Sequence, residues 1–191
     1  MDLYKLIRPL LWSLPAELSH KVGLLLLRIL PRKLLSVVTR EPILETVVWG
    51  RCFRNPIGLA AGFDKNAQVI GPSFMLGFGF IEVGGVTLNP QEGNPKPRLF
   101  RLRPDGAIIN RMGLNSLGVE VVAKNMSAVA TRGILGPVAV NLGLNKISDT
   151  PASDYAAVAR KLTPYCDILT INVSSPNTPG LRKLQEVQAL S

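Results

Sequence analysis

The sequence predicts an α/β protein of repeated strand–loop–helix units, either a parallel sheet or a TIM (β/α)8 barrel, behind an apolar helical N-terminus. Three observations lead there. From Ile57 onward, short apolar runs of strand length alternate with helix-length amphipathic stretches. A polar, glycine-rich loop follows each of the short runs. The 17 glycines and 15 prolines punctuate these segments. Hydrophobic residues make up 47% of the 191, which allows a sizeable core and argues against disorder.

The elements follow in order. The first forty residues hold thirteen leucines and Trp12. Leu18, Val22, Leu25 and Ile29 recur at helical spacing, and Pro9, Pro15 and Pro31 are expected to cut the stretch into two short helices. Thr46–Phe53 reads as a two-stranded element around Trp49-Gly50. Ile57–Ala60 is the first buried strand, with a helix near Val69–Leu76. Phe80–Val83 is the second strand. Arg98–Leu102 and Ala107–Arg111 flank Pro104-Asp105-Gly106 as a hairpin within a long excursion, Leu88–Asn115. Val122–Ala130 lies in the next helix. Val138–Leu142 is the third strand, Tyr155–Leu162 a helix, and Ile168–Val173 the fourth strand. Two domains are expected, 1–40 and 41–191.

Charge and rare residues exclude several functions. The formal net charge is +9, which suits nucleic acid, an anionic membrane or an anionic small molecule. Through Arg40 there are seven Lys or Arg against Asp2 and Glu17. A basic excess inside an apolar segment favours a membrane surface over nucleic acid. Arg28 interrupts the apolar run Gly23–Leu27 far short of the ~20 residues of a spanning helix. The alternative is a helical hairpin packed on the main domain. Cys52 and Cys166 have neither CxxC nor metal spacing and are expected to be buried or half-buried free thiols of a reducing compartment. His20 is the only histidine, which argues against His triads and His metal sites.

In a barrel the loops after the strands carry the chemistry. AAGFDKN, Ala60 to Asn66, follows the first strand: its small residues admit a flat ligand and Lys65 adds a cation. It also fits a tight turn with a surface lysine. VGGVT, Val83 to Thr87, follows the second strand. INRMGLNS, Ile109 to Ser116, offers the Asn110 and Asn115 amides and the Arg111 guanidinium, a set that binds a carboxylate and an imide. Asn141 and Asn172 close two apolar strands, where an unpaired amide is costly. Ser174 and Ser175 sit in a stiff loop, as turn residues or as a proton acceptor from carbon.

In this order, NPIGLAAGFDKN, NPKPRLFRL, INRMGLNS, VNLGLNK and INVSSPNTPGLR closely resemble the class 2, quinone-dependent dihydroorotate dehydrogenases. MDLYKLIRPLLWSLPAELSH is similar to that class's N-terminal helical extension. The resemblance implies an FMN enzyme of pyrimidine biosynthesis that oxidises dihydroorotate to orotate and passes electrons to ubiquinone or menaquinone. On matching positions it implies cofactor contacts from Ala61, Gly62, Phe63, Asp64, Lys65, Gly85, Asn141 and Asn172. Around dihydroorotate it implies Lys65, Asn110, Arg111, Met112, Gly113, Leu114, Asn172 and Asn177. Ser175 would take the C5 proton, where class 1 relatives use cysteine.

The resemblance further implies the first half of a (β/α)8 barrel, with residues 1–40 as a peripheral membrane and quinone-access segment. No metal and no nucleic acid are expected. The absence of an Arg- and Ser-rich leader leads us to expect the cytoplasmic side of a bacterial inner membrane. The chain departs from the family at Gly85, where many relatives have Thr or Ser, and at Leu144, where they often have Lys. A flavin-contacting lysine, an Asn-Thr segment and glycine-rich phosphate loops are expected beyond Ser191. If the chain is complete, weak or no FMN binding and no turnover are expected. Two other readings compete: another FMN barrel such as a tRNA-dihydrouridine synthase, which carries an active-loop cysteine where SSPN stands here, and an inactive barrel fragment.

Overall fold

The computed structural model describes residues 3–31, 35, 41–131, 133 and 135–186. The boundary expected at residue 40 and the basic residues Arg32, Lys33 and Arg40 lie outside them. Two helices open the chain, α1 (Leu3–Ser13) and α2 (Ala16–Ile29). Pro9 does not cut α1, contrary to expectation, but lies within it. The last turn is held from outside: Arg101 donates to the carbonyls of Leu11 and Leu14, and Arg103 to that of Trp12. Such cations satisfy the orphan carbonyls of a helix C-terminus and suit its dipole. Pro15 precedes α2, and Pro31 stops it by disfavouring helical geometry in the residue before it.

A two-stranded ribbon follows, β1 (Thr46–Val48) and β2 (Arg51–Phe53). Its turn places both Trp49 (φ 49°) and Gly50 (φ 72°) in the left-handed region that two-residue hairpins require. Cys52 is exposed on this ribbon, so the expectation of two shielded thiols fails there: among the described residues no second layer covers β2 at that point. Cys166 is half-buried, and desolvation, then the Asp167 charge, pushes its thiol up to about 11.

The main sheet is four parallel strands in the order β3 (Gly58–Leu59), β4 (Phe80–Val86), β7 (Val138–Leu142) and β8 (Ile168–Ile171). The expected strand at Ile57–Ala60 pairs over two residues only, whereas β4 runs three residues past Val83 because β7 continues to pair with it. Between β4 and β7 lies the antiparallel hairpin β5 (Leu99–Leu102) and β6 (Ala107–Asn110). Helices α3 (Ile70–Met75), α4 (Val119–Ala130) and α5 (Pro151–Leu162) supply the crossovers.

Alternation along the strands sorts the two faces. Ile81, Val83, Val138, Val140 and Leu142 are buried and cluster with Ile70, Phe74, Val122, Met126, Val158 and Leu162 of the helices. Each such side chain contributes about 1.5–3 kcal/mol of burial. In β7 every residue is buried, the pattern of a central parallel strand. The alternate positions, Glu82, Gly84 and Asn141, lie on the other face together with Asn172, and that face carries the polar site. β3 and β8 form the edges of this sheet among the described residues, and on β8 Leu169 and Ile171 are 37% and 60% exposed. Open edges and an uncovered apolar surface are what half of an eight-stranded barrel presents.

Candidate functional site

The loops after β3, β4, β7 and β8 and the end of the β5–β6 hairpin converge on one cleft of about 650 Å3, roofed by α1 and α2. Ala61, Gly62, Lys65, Gly85, Asn110, Met112, Gly113, Leu114, Asn141, Asn172, Ser175 and Asn177 line it. The roof contributes Leu11, Trp12, Ala16, Glu17, Ser19 and His20.

Each wall has a local cause. Asp64 is fully buried and its two carboxylate oxygens accept from the backbone N–H groups of Gln68 and Val69 at 2.8 and 2.7 Å. Desolvation raises its pKa, against these hydrogen bonds, which lower it. The carboxylate therefore ties the turn that presents Lys65, and its oxygens are turned away from the cleft. Phe63 likewise stands outside the cleft lining, edge-on to His20 at 5.1 Å. Burial holds the Lys65 ammonium below its ordinary pKa, with the Arg98 charge second and Glu17 opposing. Burial, then the Lys65 charge, lowers His20.

At Gly85 a Cβ would come within 3.0 Å of the Leu114 Cδ2 and 3.4 Å of the Asn141 Oδ1, so a side chain there would require Leu114 to give by a few tenths of an ångström. Gly113 has φ 71°, and a Cβ there would stand 2.7 Å from the Asn94 Cγ. Asn94 in turn donates to the carbonyls of Arg111 and Asn177, at 3.0 and 3.3 Å. The Asn177 N–H faces Ser175 Oγ at 3.4 Å, and the Tyr155 hydroxyl holds the Asn172 carbonyl at 2.8 Å.

Arg111 is not brought to the cleft. Its guanidinium donates twice to the Pro97 carbonyl, at 3.1 and 2.9 Å, and lies near the Phe100 ring. Residues that sequence reasoning passed over take structural parts in the site. Arg98, 5% exposed, bonds Glu17 of α2 and the carbonyls of Glu92 and Asn94. Glu82 accepts from the Asn141 Nδ2 at 3.1 Å, and Asn141 Oδ1 accepts from Asn172 Nδ2 at 3.0 Å. The lone carboxylate in the apolar run FIEVGGV was the available signal. Asn115 reaches the cleft with its Oδ1 buried and without a hydrogen-bond partner among the described residues.

A parallel α/β sheet with its polar loops gathered at the C-terminal ends of the strands is the catalytic-face architecture of an α/β barrel. The chain belongs to the dihydroorotate dehydrogenase family: the sequence model of that family, described as dihydroorotate dehydrogenase, matches residues 43–191. It is 50% identical to the dihydroorotate dehydrogenase (quinone) of Rhodospirillum rubrum, covering 100% of this chain and 51% of that protein. It is 47% identical to the mitochondrial dihydroorotate dehydrogenase (quinone) of Oryza sativa, over 95% of this chain and 43% of that protein. The crystal structure of DHODH from Eimeria tenella in complex with ferulenol matches with a TM-score of 0.85 and 41% identity, over 91% of this chain and 48% of that one. The chain thus spans about half the length of the relatives it matches.

Proposed function

We propose that these residues are the substrate-binding half of a quinone-linked dihydroorotate dehydrogenase that oxidises dihydroorotate to orotate in pyrimidine biosynthesis. The convergence of Lys65, Asn110, Asn172, Ser175 and Asn177 on one cleft beneath α1 and α2 carries this reading. Lys65 pairs with the substrate carboxylate, the one cation the AAGFDKN loop brings to the cleft. The amides of Asn110, Asn172 and Asn177 match an imide, which both donates and accepts. The buried Asn115 Oδ1 suits a ring N–H. Ser175, on the loop opposite, accepts the proton from C5 while passing its own hydroxyl proton on to water, a step that positioned acid–base groups accelerate about 10²–10⁴-fold.

The residues present fit FMN along one side. Gly85, Ala61 and Gly62 give that side of the cleft little side-chain bulk to obstruct a ring, and Leu114, Asn141 and Asn172 border it. Bound there, FMN supplies the two-electron acceptor for the hydride. Family likeness also supports a quinone as final acceptor, entering between α1 and α2, where Leu11, Trp12 and Ala16 face the cleft.

Peripheral membrane binding by residues 1–40, on the cytoplasmic side of a bacterial inner membrane, completes the proposal. Leu18, Leu25 and Ile29 of the apolar stripe are 45%, 53% and 65% exposed, and Leu10 of α1 is 69% exposed. They form an outward apolar face flanked by Lys21 and Arg28, the composition of an interfacial helix. No helix among the described residues is long and apolar enough to cross a membrane.

The test extends the chain to full family length with the C-terminal half of the Rhodospirillum rubrum relative. Dihydroorotate oxidation with a quinone acceptor is the expected result. Reduction of uridine in tRNA without dihydroorotate oxidation would favour the synthase reading, and inactivity of both kinds would favour an inactive fragment.

A further inference from the structure

We infer that Glu82 is a positioning residue that fixes which way the amides of Asn141 and Asn172 face, and so sets the donor–acceptor pattern of the cleft; the inference rests on the proposed reading of that cleft as the flavin and dihydroorotate site. Glu82 does not itself line the cleft. It acts through a chain of hydrogen bonds that crosses three adjacent strands.

The chemistry of each link dictates the next. An ionised carboxylate accepts and never donates, whereas an asparagine amide has one accepting and one donating edge. Glu82 Oε1 takes the Asn141 Nδ2 at 3.1 Å. That leaves Asn141 Oδ1 pointing at Asn172, whose Nδ2 donates to it at 3.0 Å. Asn172 Oδ1 is then turned to Ser174 and accepts from its N–H at 3.2 Å and its hydroxyl at 3.3 Å. Ser174 adjoins Ser175. The second oxygen, Glu82 Oε2, faces the Ala61 N–H at 3.4 Å, so the same carboxylate steadies the loop after β3.

Turning over any single amide would set two donors or two acceptors face to face. In a partly buried row each such mismatch is costly. The fixed negative end therefore makes one direction of the chain far more favourable than the other. A neutral amide in place of Glu82 would remove that bias, because it presents either edge.

Side-chain amide NMR on the 191-residue chain tests this. In the unaltered protein, correlations through hydrogen bonds are expected from Asn172 Nδ2 to Asn141 Cγ and from Asn141 Nδ2 to the Glu82 carboxyl carbon. A correlation from Asn141 Nδ2 to Asn172 Cγ would mean the reverse direction and would overturn the inference. In Glu82→Gln the Asn172 side-chain signals should shift or split; unmoved signals would also overturn it. The double variant Glu82→Gln with Asn141→Asp places the carboxylate one link further on, where it accepts from Asn172, and should return those signals to a single set. Persistent splitting there counts against the inference. If the variants fail to fold, the through-bond correlations of the unaltered chain decide alone. Titration of the full-length extension with orotate separates the two claims: no binding would defeat the reading of the cleft, and with it the ligand side of the inference, while the correlations report the amide directions themselves.

Discussion

The Arg98 guanidinium holds the Glu17 carboxylate at 2.7 Å while its other nitrogen grips the carbonyls of Glu92 and Asn94, so one buried cation fastens α2 to the loop that reaches Asn177. Removing one partner strands the other. Glu17→Ala is expected to cost about 3 kcal/mol, the scale for an orphaned buried charge. Urea denaturation measures it, and an unchanged midpoint would show that α2 is held by other means.

The same pair predicts an acid dependence. The hydrogen bond from Arg98 is the largest influence on the Glu17 carboxyl and holds it below its ordinary 4.5. A depressed carboxylate pKa stabilises the fold above the unfolded value, and that contribution is lost as pH falls through the lower folded value. Stability should therefore drop below about pH 4.5, and Glu17→Ala should flatten that part of the curve. Thermal denaturation across pH provides the comparison.

On the proposed reading, Lys65 should set an alkaline limit on ligand binding. Burial lowers its pKa from 10.5, so the ammonium loses its proton earlier than a free lysine. Orotate affinity in the full-length extension should be greatest while Lys65 is charged and should fall as pH rises through that lowered value. Lys65→Met should weaken binding at neutral pH by roughly tenfold or more and abolish the alkaline fall, since charged hydrogen bonds contribute about 1.5–3 kcal/mol. Titration calorimetry at a series of pH values reads both.

Gly113 leaves the space that Asn94 occupies. Gly113→Ala drives a Cβ into the Asn94 amide and strains a left-handed backbone. The expected outcome is a loss of about 1–3 kcal/mol of stability together with weaker orotate binding, as the tie from Asn94 to Asn177 breaks. Adding Asn94→Gly should relieve the clash but not the backbone strain, so denaturant melts should recover only part of the stability while binding stays weak.

Leu25→Glu tests the proposed membrane contact of the α2 stripe. The side chain is 53% exposed, so the fold should be unaffected, while co-sedimentation with anionic phospholipid vesicles should fall. Undiminished sedimentation would place the membrane contact elsewhere.

Much of this was legible in the sequence because it is local. The Trp49-Gly50 turn, the Pro104-Asp105-Gly106 hairpin and the β7 run Val138–Leu142 carry their own signals, and the structure reproduces them. β4 was read short because glycine lowers strand propensity, while its pairing with β7 depends on a distant segment. The rule that loops after barrel strands share one face, together with the family resemblance, placed Lys65, Asn110 and Ser175 at one site, but neither tells which arginine turns inward: Arg98 is buried behind α2, and Arg111 folds back on Pro97. The roles of Glu82 and Asn94 are relations across many residues of sequence, which no local pattern encodes. Cys52 looked like a shielded thiol, yet whether a second layer covers a ribbon is a tertiary fact.

The central claim, that Ser175 draws the proton from dihydroorotate in this cleft, is tested most directly by anaerobic stopped-flow bleaching of the flavin on mixing the full-length extension with dihydroorotate. Ser175→Ala should slow the bleaching about 10²–10⁴-fold with FMN content unchanged, the contribution expected of a positioned base. Bleaching at the unaltered rate in Ser175→Ala, or none at all in the unaltered, FMN-loaded protein, would contradict it.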